Sequence, residues 1–188
     1  MTQLVEITQK EFGVFLDLRY ATTNNVCERV LYKSTKCFLH PEAAERLEMA
    51  INIAKESGYG IKIFDGYRPL PVQKFMYDAF PIEEGEEGFI SNPATGAIPH
   101  CRGIAVDLTL TDENGDKIDM GSDFDEFSSL AFHDCDDVSE DAKRNRIKLL
   151  EIMTEAGFDF YSKEWWHYQL FKPREFEIVE NFAGMSNI

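Results

Sequence analysis

The stretch "HCRGIAVDLTLTDENGDKID", residues 100–119, constrains the fold more than any other. Val106, Leu108 and Leu110 fall on one face of an alternating run, and Ala105, Asp107 and Thr109 on the other, which is the period of a strand. Asn114–Gly115 then supplies a turn suited to a hairpin. Asp107 therefore points away from the apolar face. Gly103 lets the chain bend between His100 and this strand. Partners for the strand exist on both sides in the sequence. "YGIKIFDGYRP" alternates Ile61 and Ile63 with polar residues and reads as a strand ending at Asp65, with Arg68 in the following turn held extended by Pro69. "EWWHYQL", residues 164–170, reads as a final strand.

Helices separate these strands. "HPEAAERLEMAINIAKESG" has Pro41 at a helix-start position, Leu47, Ala50, Ile51 and Ala54 on one stripe, and Gly58 as its stop. "VQKFMYDAF" is a second, shorter helix. "SEDAKRNRIKLLEIMTEAG" is a third, with Ser139 as N-cap and Ile147, Leu150, Met153 and Ala156 as the expected buried stripe. In "PIEEGEEGFISNPATGAIP", residues 81–99, Gly, Pro and acids replace any apolar period, so a surface loop or lid is expected. The pattern predicts an α+β fold, a single domain over residues 1–188 with a small, mostly antiparallel sheet flanked by helices. A chain of 188 residues suits one such core rather than two.

The 19 basic and 34 acidic side chains leave a net charge of −15, which repels polyanions. Nucleic acid and anionic membrane are therefore poor partners. The first thirty residues mix charges among apolar residues, with no signal-peptide core and no apolar run of spanning length, so a cytoplasmic location is expected. Cys27, Cys37, Cys101 and Cys135 form no CxxC pair. Reduced structural thiols are the reading, with a Cys27–Cys37 disulfide the alternative for an exported chain.

With only four histidines, the census of metal ligands is short. A hydrolytic zinc site needs about three His or carboxylate ligands and one open position, and His100, Asp107 and His167 would meet that need. The spacing of His100 and Asp107 is weak evidence alone, and His167 between Trp166 and Tyr168 also suits a hydrogen-bonded core histidine. Glu164 resists the second reading, because a carboxylate is rarely buried without a partner. It lies close enough in sequence to act on a metal-bound water. Glu164 and His167 would occupy opposite faces of a regular strand, so the strand must begin or bulge between them. Trp165 and Trp166 are read as packing that fixes this kink. His40 is read as a helix-capping or surface residue, and "HDCDD", with His133 and Cys135, as an acidic loop rather than a second metal site.

Taken in order, "LRYATTNN", "FDGYRPLPVQ", "HCRGIAVDLTL", "MGSDFD" and "EWWHY" resemble the zinc D-alanyl-D-alanine dipeptidases, from about Leu16 to Leu170. The resemblance implies one zinc per chain held by His100, Asp107 and His167, with Glu164 as catalytic base and Arg68 stabilising the developing oxyanion. It also implies that Asp125 and Tyr20 grip the free amino end of a dipeptide. Two departures stand out: Ile98 occupies a position where the family usually has serine, and the stretch from Arg68 to His100 is shorter, which implies a more open pocket. The implied activity is hydrolysis of D-Ala-D-Ala or a similar short D-amino-acid dipeptide in peptidoglycan precursor turnover. The alternative is a related carboxypeptidase or endopeptidase acting on longer wall peptides, against which Asp125, Tyr20 and the missing export signal argue. A zinc-stabilised binding module would have lost Glu164 or Arg68, and both are present. On oligomeric state the sequence is silent.

Overall fold

The computed structural model describes residues 3–81, 89–180 and 182. Strands and helices follow in the order β1 (Val5–Ile7), α1 (Gln9–Phe12), β2 (Phe15–Leu16), β3 (Cys37–Leu39), α2 (Pro41–Glu56), β4 (Gly60–Asp65), α3 (Leu70–Ala79), β5 (Ala105–Thr111), α4 (Glu140–Glu155), β6 (Asp159–Phe160) and β7 (His167–Gln169). The five-stranded sheet has the order β2-β4-β5-β7-β6, and β1 and β3 form a separate antiparallel pair. Every pairing in the main sheet is antiparallel except β2 with β4. The fold is thus α+β with a small, mostly antiparallel sheet.

β5 lies at the centre of the sheet, and all seven of its residues are buried. Val106, Leu108 and Leu110 join Leu47, Ile51, Leu149 and Ile152 in one core cluster, with α2 and α4 packed on each other and against β4 and β5. Each such side chain stabilises the fold by about 1.5–3 kcal/mol when fully buried. α2 begins where expected, with Pro41 in its first turn and the His40 Nδ1 accepting from the Glu42 N–H at 3.3 Å. Ser139 caps α4 by accepting from the Ala142 N–H at 3.1 Å.

Two expectations are corrected. The buried stripe of α4 runs through Ala142, Arg146, Leu149, Ile152 and Met153, while Ile147 is 55% exposed. Arg146 turns inward because the carbonyls of Met120, Leu130 and Phe132 accept from its guanidinium at 2.6–2.7 Å, so each of its three nitrogens has a partner. The reversal after β5 is also wider than a two-residue hairpin turn. Asp112 N–H donates to Asp116 O at 2.9 Å, and the Asp112 carboxylate accepts from the N–H groups of Asn114 and Asp116.

Register decides what faces what. β4 shifts register between Ile63 and Asp65, which sets Asp65 opposite Asp107, and Asp107 is in turn opposite His167. Asp65, Asp107 and His167 therefore form a row across three adjacent strands. β7 starts at His167, and the His167 N–H donates to Glu164 O at 3.1 Å in the turn before it. The strand begins between Glu164 and His167, as the sequence requires. Part of the expected lid, residues 82–88, lies outside the described residues; Phe89 to Asn92 and Thr95 to Ile98 border a cavity at the end of this row.

Candidate metal centre and active-site pocket

His100 sits in a short 3-10 turn, Pro99–Arg102, that ends at Gly103 with φ 69°. A side chain there would be strained, and its Cβ would lie 2.8 Å from Leu4 Cδ2, so glycine is needed for the bend into β5. His100 Nδ1 donates to Gly66 O at 2.8 Å, which leaves Nε2 with its lone pair toward the row. His167 Nε2 donates to Gln169 Oε1 at 3.0 Å, which leaves Nδ1 as its free nitrogen. The two free nitrogens are 3.2 Å apart, and Asp107 Oδ1 lies 3.3 Å from the first and 3.0 Å from the second.

Three donor atoms thus converge within hydrogen-bonding distance, and both imidazoles have their outer nitrogens tied to oxygens. That second feature is the usual support of metal-bound histidine, because it fixes tautomer and ring orientation. The donor set, two imidazoles and one carboxylate, fits zinc or a similar divalent ion. The Asp107 carboxyl is held below the ordinary range; burial opposes this, but His100 and His167 outweigh it. For His167, burial would lower the pKa, but the hydrogen bond and charge of Asp107 push it up to about 9. The proton so held is what a bound metal displaces.

The triad opens onto a cavity of about 680 Å³ that Tyr20, Arg68, Asp125 and Glu164 also line. Glu164 Oε2 lies 3.8 Å from His167 Nδ1, and burial pushes its carboxyl up to about 8. Arg68 is 6% exposed, with Nε and Nη2 donating to Asp65 Oδ2 at 3.0 and 2.9 Å and its guanidinium 4.9 Å over the Tyr20 ring. Its Nη2 is 3.8 Å from Asp107 Oδ2, so it borders the triad. Tyr20 donates its hydroxyl to Asp125 Oδ1 at 2.8 Å, and the Val26 N–H donates to Oδ2 at 3.2 Å. Despite these bonds, burial pushes Asp125 up to about 7. All seven residues singled out in the sequence therefore meet at one pocket.

A family model described as "D-ala-D-ala dipeptidase", Peptidase_M15, matches residues 1–181. The chain belongs to this family. Among its curated relatives, the D-alanyl-D-alanine dipeptidase of Escherichia coli (strain K12) is 37% identical over 180 residues, 95% of this chain and 90% of that one. The D-alanyl-D-alanine dipeptidase of Enterococcus faecium is 33% identical over 178 residues, 84% of this chain and 86% of that one. A solved vancomycin-resistance D,D-dipeptidase, VanXYg, in complex with a D-Ala-D-Ala phosphinate analog, is 18% identical with a TM-score of 0.44, covering 90% of this chain and 68% of that one. M15 peptidases are metalloenzymes, and the triad is the one group of three or more His, Cys, Asp or Glu among the described residues of this M15 chain that could hold an ion.

Sequence reasoning missed several residues that support this M15 site. Asp65, 1% exposed, accepts from Tyr32 and Arg68 and carries the charge that Arg68 faces. Its signal was an acid closing an apolar strand three residues before an arginine. Gln169 follows His167 by two, which places both on one strand face. The Gly66 carbonyl has no side-chain signal at all. Added at Gly66, a Cβ would lie 2.8 Å from Cys37 Sγ, so the close approach itself excludes other residues. Trp165 is packing, with Nε1 donating to Ser122 Oγ at 2.9 Å, but Trp166 also lines the cavity. Ile98, in place of the serine, has φ 42°, a strained conformation for a β-branched residue. All four cysteines are free thiols. No helix among the described residues is long and apolar enough to cross a membrane.

Proposed function

We propose that this M15 metallopeptidase binds one zinc through His100, Asp107 and His167 and hydrolyses D-alanyl-D-alanine or a similar short D-amino-acid dipeptide. The observation that carries the reading is the placement of a buried acid, Glu164, beside three converging donor atoms in one cavity with Asp125. Zinc bound there would polarise the scissile carbonyl and acidify the attacking water.

The residues divide the remaining work. Glu164 accepts the water proton on its carboxylate and delivers it to the leaving amine; burial raises its proton affinity toward the working pH, as a general base and acid requires. Arg68, fixed by Asp65 and by the Tyr20 ring, donates to the carbonyl oxygen as it becomes negative, an effect of about 10²–10³ in rate for one such donor. Asp125, held by Tyr20 and the Val26 N–H, receives the dipeptide's ammonium, whose charge restores the ionised form that burial disfavours. No covalent intermediate is needed. In this reading the substrate is a small dipeptide of peptidoglycan precursor turnover, met in the cytoplasm, and one domain carries the whole site.

The test is hydrolysis of D-Ala-D-Ala, N-acetyl-D-Ala-D-Ala and a longer wall peptide, with and without chelator. The free dipeptide should be cleaved orders of magnitude faster than the acetylated one, because acetylation leaves the Asp125 carboxylate without a cation. Comparable kcat/KM for the two would overturn the dipeptidase reading in favour of a longer-peptide hydrolase.

A further inference from the structure

The pocket contains a buried amide that the proposed chemistry does not use. Gln73 stands in the first turns of α3, is 2% exposed, and has Val72 and Met76 as buried neighbours on the same helix. An amide in such surroundings costs stability unless both ends are satisfied. Both are. Gln73 Oε1 accepts from Arg68 Nη1 at 3.1 Å, and Nε2 donates to the backbone carbonyl of Ser91 at 2.7 Å.

Each end holds a different part of the cavity. A guanidinium has five N–H donors. In Arg68, Nε and one N–H of Nη2 go to Asp65, and one N–H of Nη1 goes to Gln73, which leaves one N–H on each terminal nitrogen for a ligand in the cavity. Asp65 grips one edge of the plane through a single oxygen, Oδ2, and the Tyr20 ring lies 4.9 Å from the guanidinium carbon, but neither holds the Nη1 edge. The bond to Gln73 fixes the second edge. Ser91, at the other end, belongs to another part of the lining: its Oγ accepts at 3.4 Å from the N–H of Ile98, the strained residue that leads into the turn bearing His100.

We infer that Gln73 is a positioning residue that clamps Arg68 and the wall carried by Ser91 in one arrangement, so that the two free guanidinium N–H groups and the substrate wall are set together. This rests on the reading of Arg68 as the oxyanion donor. Without the clamp the arginine remains paired with Asp65 but loses the hold on its Nη1 edge, and the wall is left with the bond that Asn92 Nδ2 donates to the Tyr77 hydroxyl of α3 at 2.9 Å. The first loss acts on kcat and the second on KM. Because both come through an uncharged side chain, the clamp can be removed without stranding a buried charge.

Two substitutions separate the ends. Gln73→Met fills the space and removes both bonds; kcat should fall roughly 10- to 100-fold, the scale of a misplaced catalytic group, and KM should rise. Gln73→Glu keeps the acceptor for Arg68 but turns the donor into an oxygen that repels the Ser91 carbonyl, so KM should rise with a much smaller loss in kcat. In an Arg68→Ala background the kcat cost of Gln73→Met should vanish, while metal content stays at the parent value in every variant. Unchanged kcat and KM in Gln73→Met, or a kcat cost that persists in full without Arg68, would overturn the proposal. If Gln73→Met does not fold, Gln73→Glu decides alone: equal losses in kcat and KM, or none, refute the division. Failure of the underlying reading looks different, since Arg68→Ala by itself would then leave kcat unchanged.

Discussion

His100 Nε2 and His167 Nδ1 face each other at 3.2 Å, while the outer nitrogen of each ring is committed to a fixed oxygen, Gly66 O for the first and Gln169 Oε1 for the second. Two imidazoles presented in this way leave no choice about which nitrogen binds an ion.

The metal should follow that geometry. His100→Ala should lose its zinc on dialysis, whereas Gln169→Leu should keep all three donor atoms and bind zinc about 10- to 100-fold more weakly, the usual effect of removing an outer hydrogen bond. Metal analysis after dialysis against a graded chelator distinguishes the two. Full, tight zinc in His100→Ala would refute the assignment.

Glu164 separates from the ligands in the same assay. Glu164→Ala should retain zinc near one equivalent and lose at least ~10²-fold in kcat, since a general base contributes about 10²–10⁴. Joint loss of metal and rate would make Glu164 a ligand.

Asp125 should cost the fold stability at neutral pH. Burial raises its carboxyl to about 7, so the folded chain holds more protons here than the unfolded chain between roughly pH 4 and 7. Its contribution to stability is complete below that window and is lost as pH rises through 7. Asp125→Asn should therefore gain on the parent by about 1–3 kcal/mol between pH 4 and pH 8. Denaturation midpoints of both proteins at the two pH values measure this, and a difference independent of pH would contradict it.

His133 should act in the opposite sense. Burial, with Arg146 adding to it, lowers its pKa to about 4, and its buried Nε2 has no hydrogen-bond partner among the described residues. The folded chain holds fewer protons at this site than the unfolded chain between about pH 4 and 6.5, so the stabilisation is whole above 6.5 and falls as the medium is acidified. His133→Leu should flatten the stability profile across this window by about 1–3 kcal/mol. An unchanged slope would show that His133 is not the group responsible.

The sequence announces the parts of the site that stand on regular structure. Asp107 is legible because a strand has period two, and the break between Glu164 and His167 because that same period forbids both on one face. Arg146 escaped notice because a count of apolar residues steps over an arginine, and the carbonyls that hold it belong to an irregular segment between β5 and α4. Asp65 and Gln73 escaped for a related reason: each reads locally as a polar residue at the end of an element, and the bonds that bury them reach Tyr32 and Ser91, which no local pattern connects to them. The role of Gly66 is carried by its backbone oxygen, on which sequence has no hold.

The row formed by Asp65, Asp107 and His167 has a bearing on how the chain assembles. β7 meets β5 over three residue pairs, with Leu108 N–H donating to Trp166 O and Leu170 N–H to Ile104 O at 3.0 Å on either side. Slipping it by one position would carry His167 to the helix-packed side and bring Tyr168 to face the cavity. A mispaired chain could still collapse around its apolar residues, yet it would offer an ion only one imidazole. A metal held as proposed by His100, Asp107 and His167 would thus favour the correctly zipped sheet over misaligned ones, because only that register brings both imidazoles together.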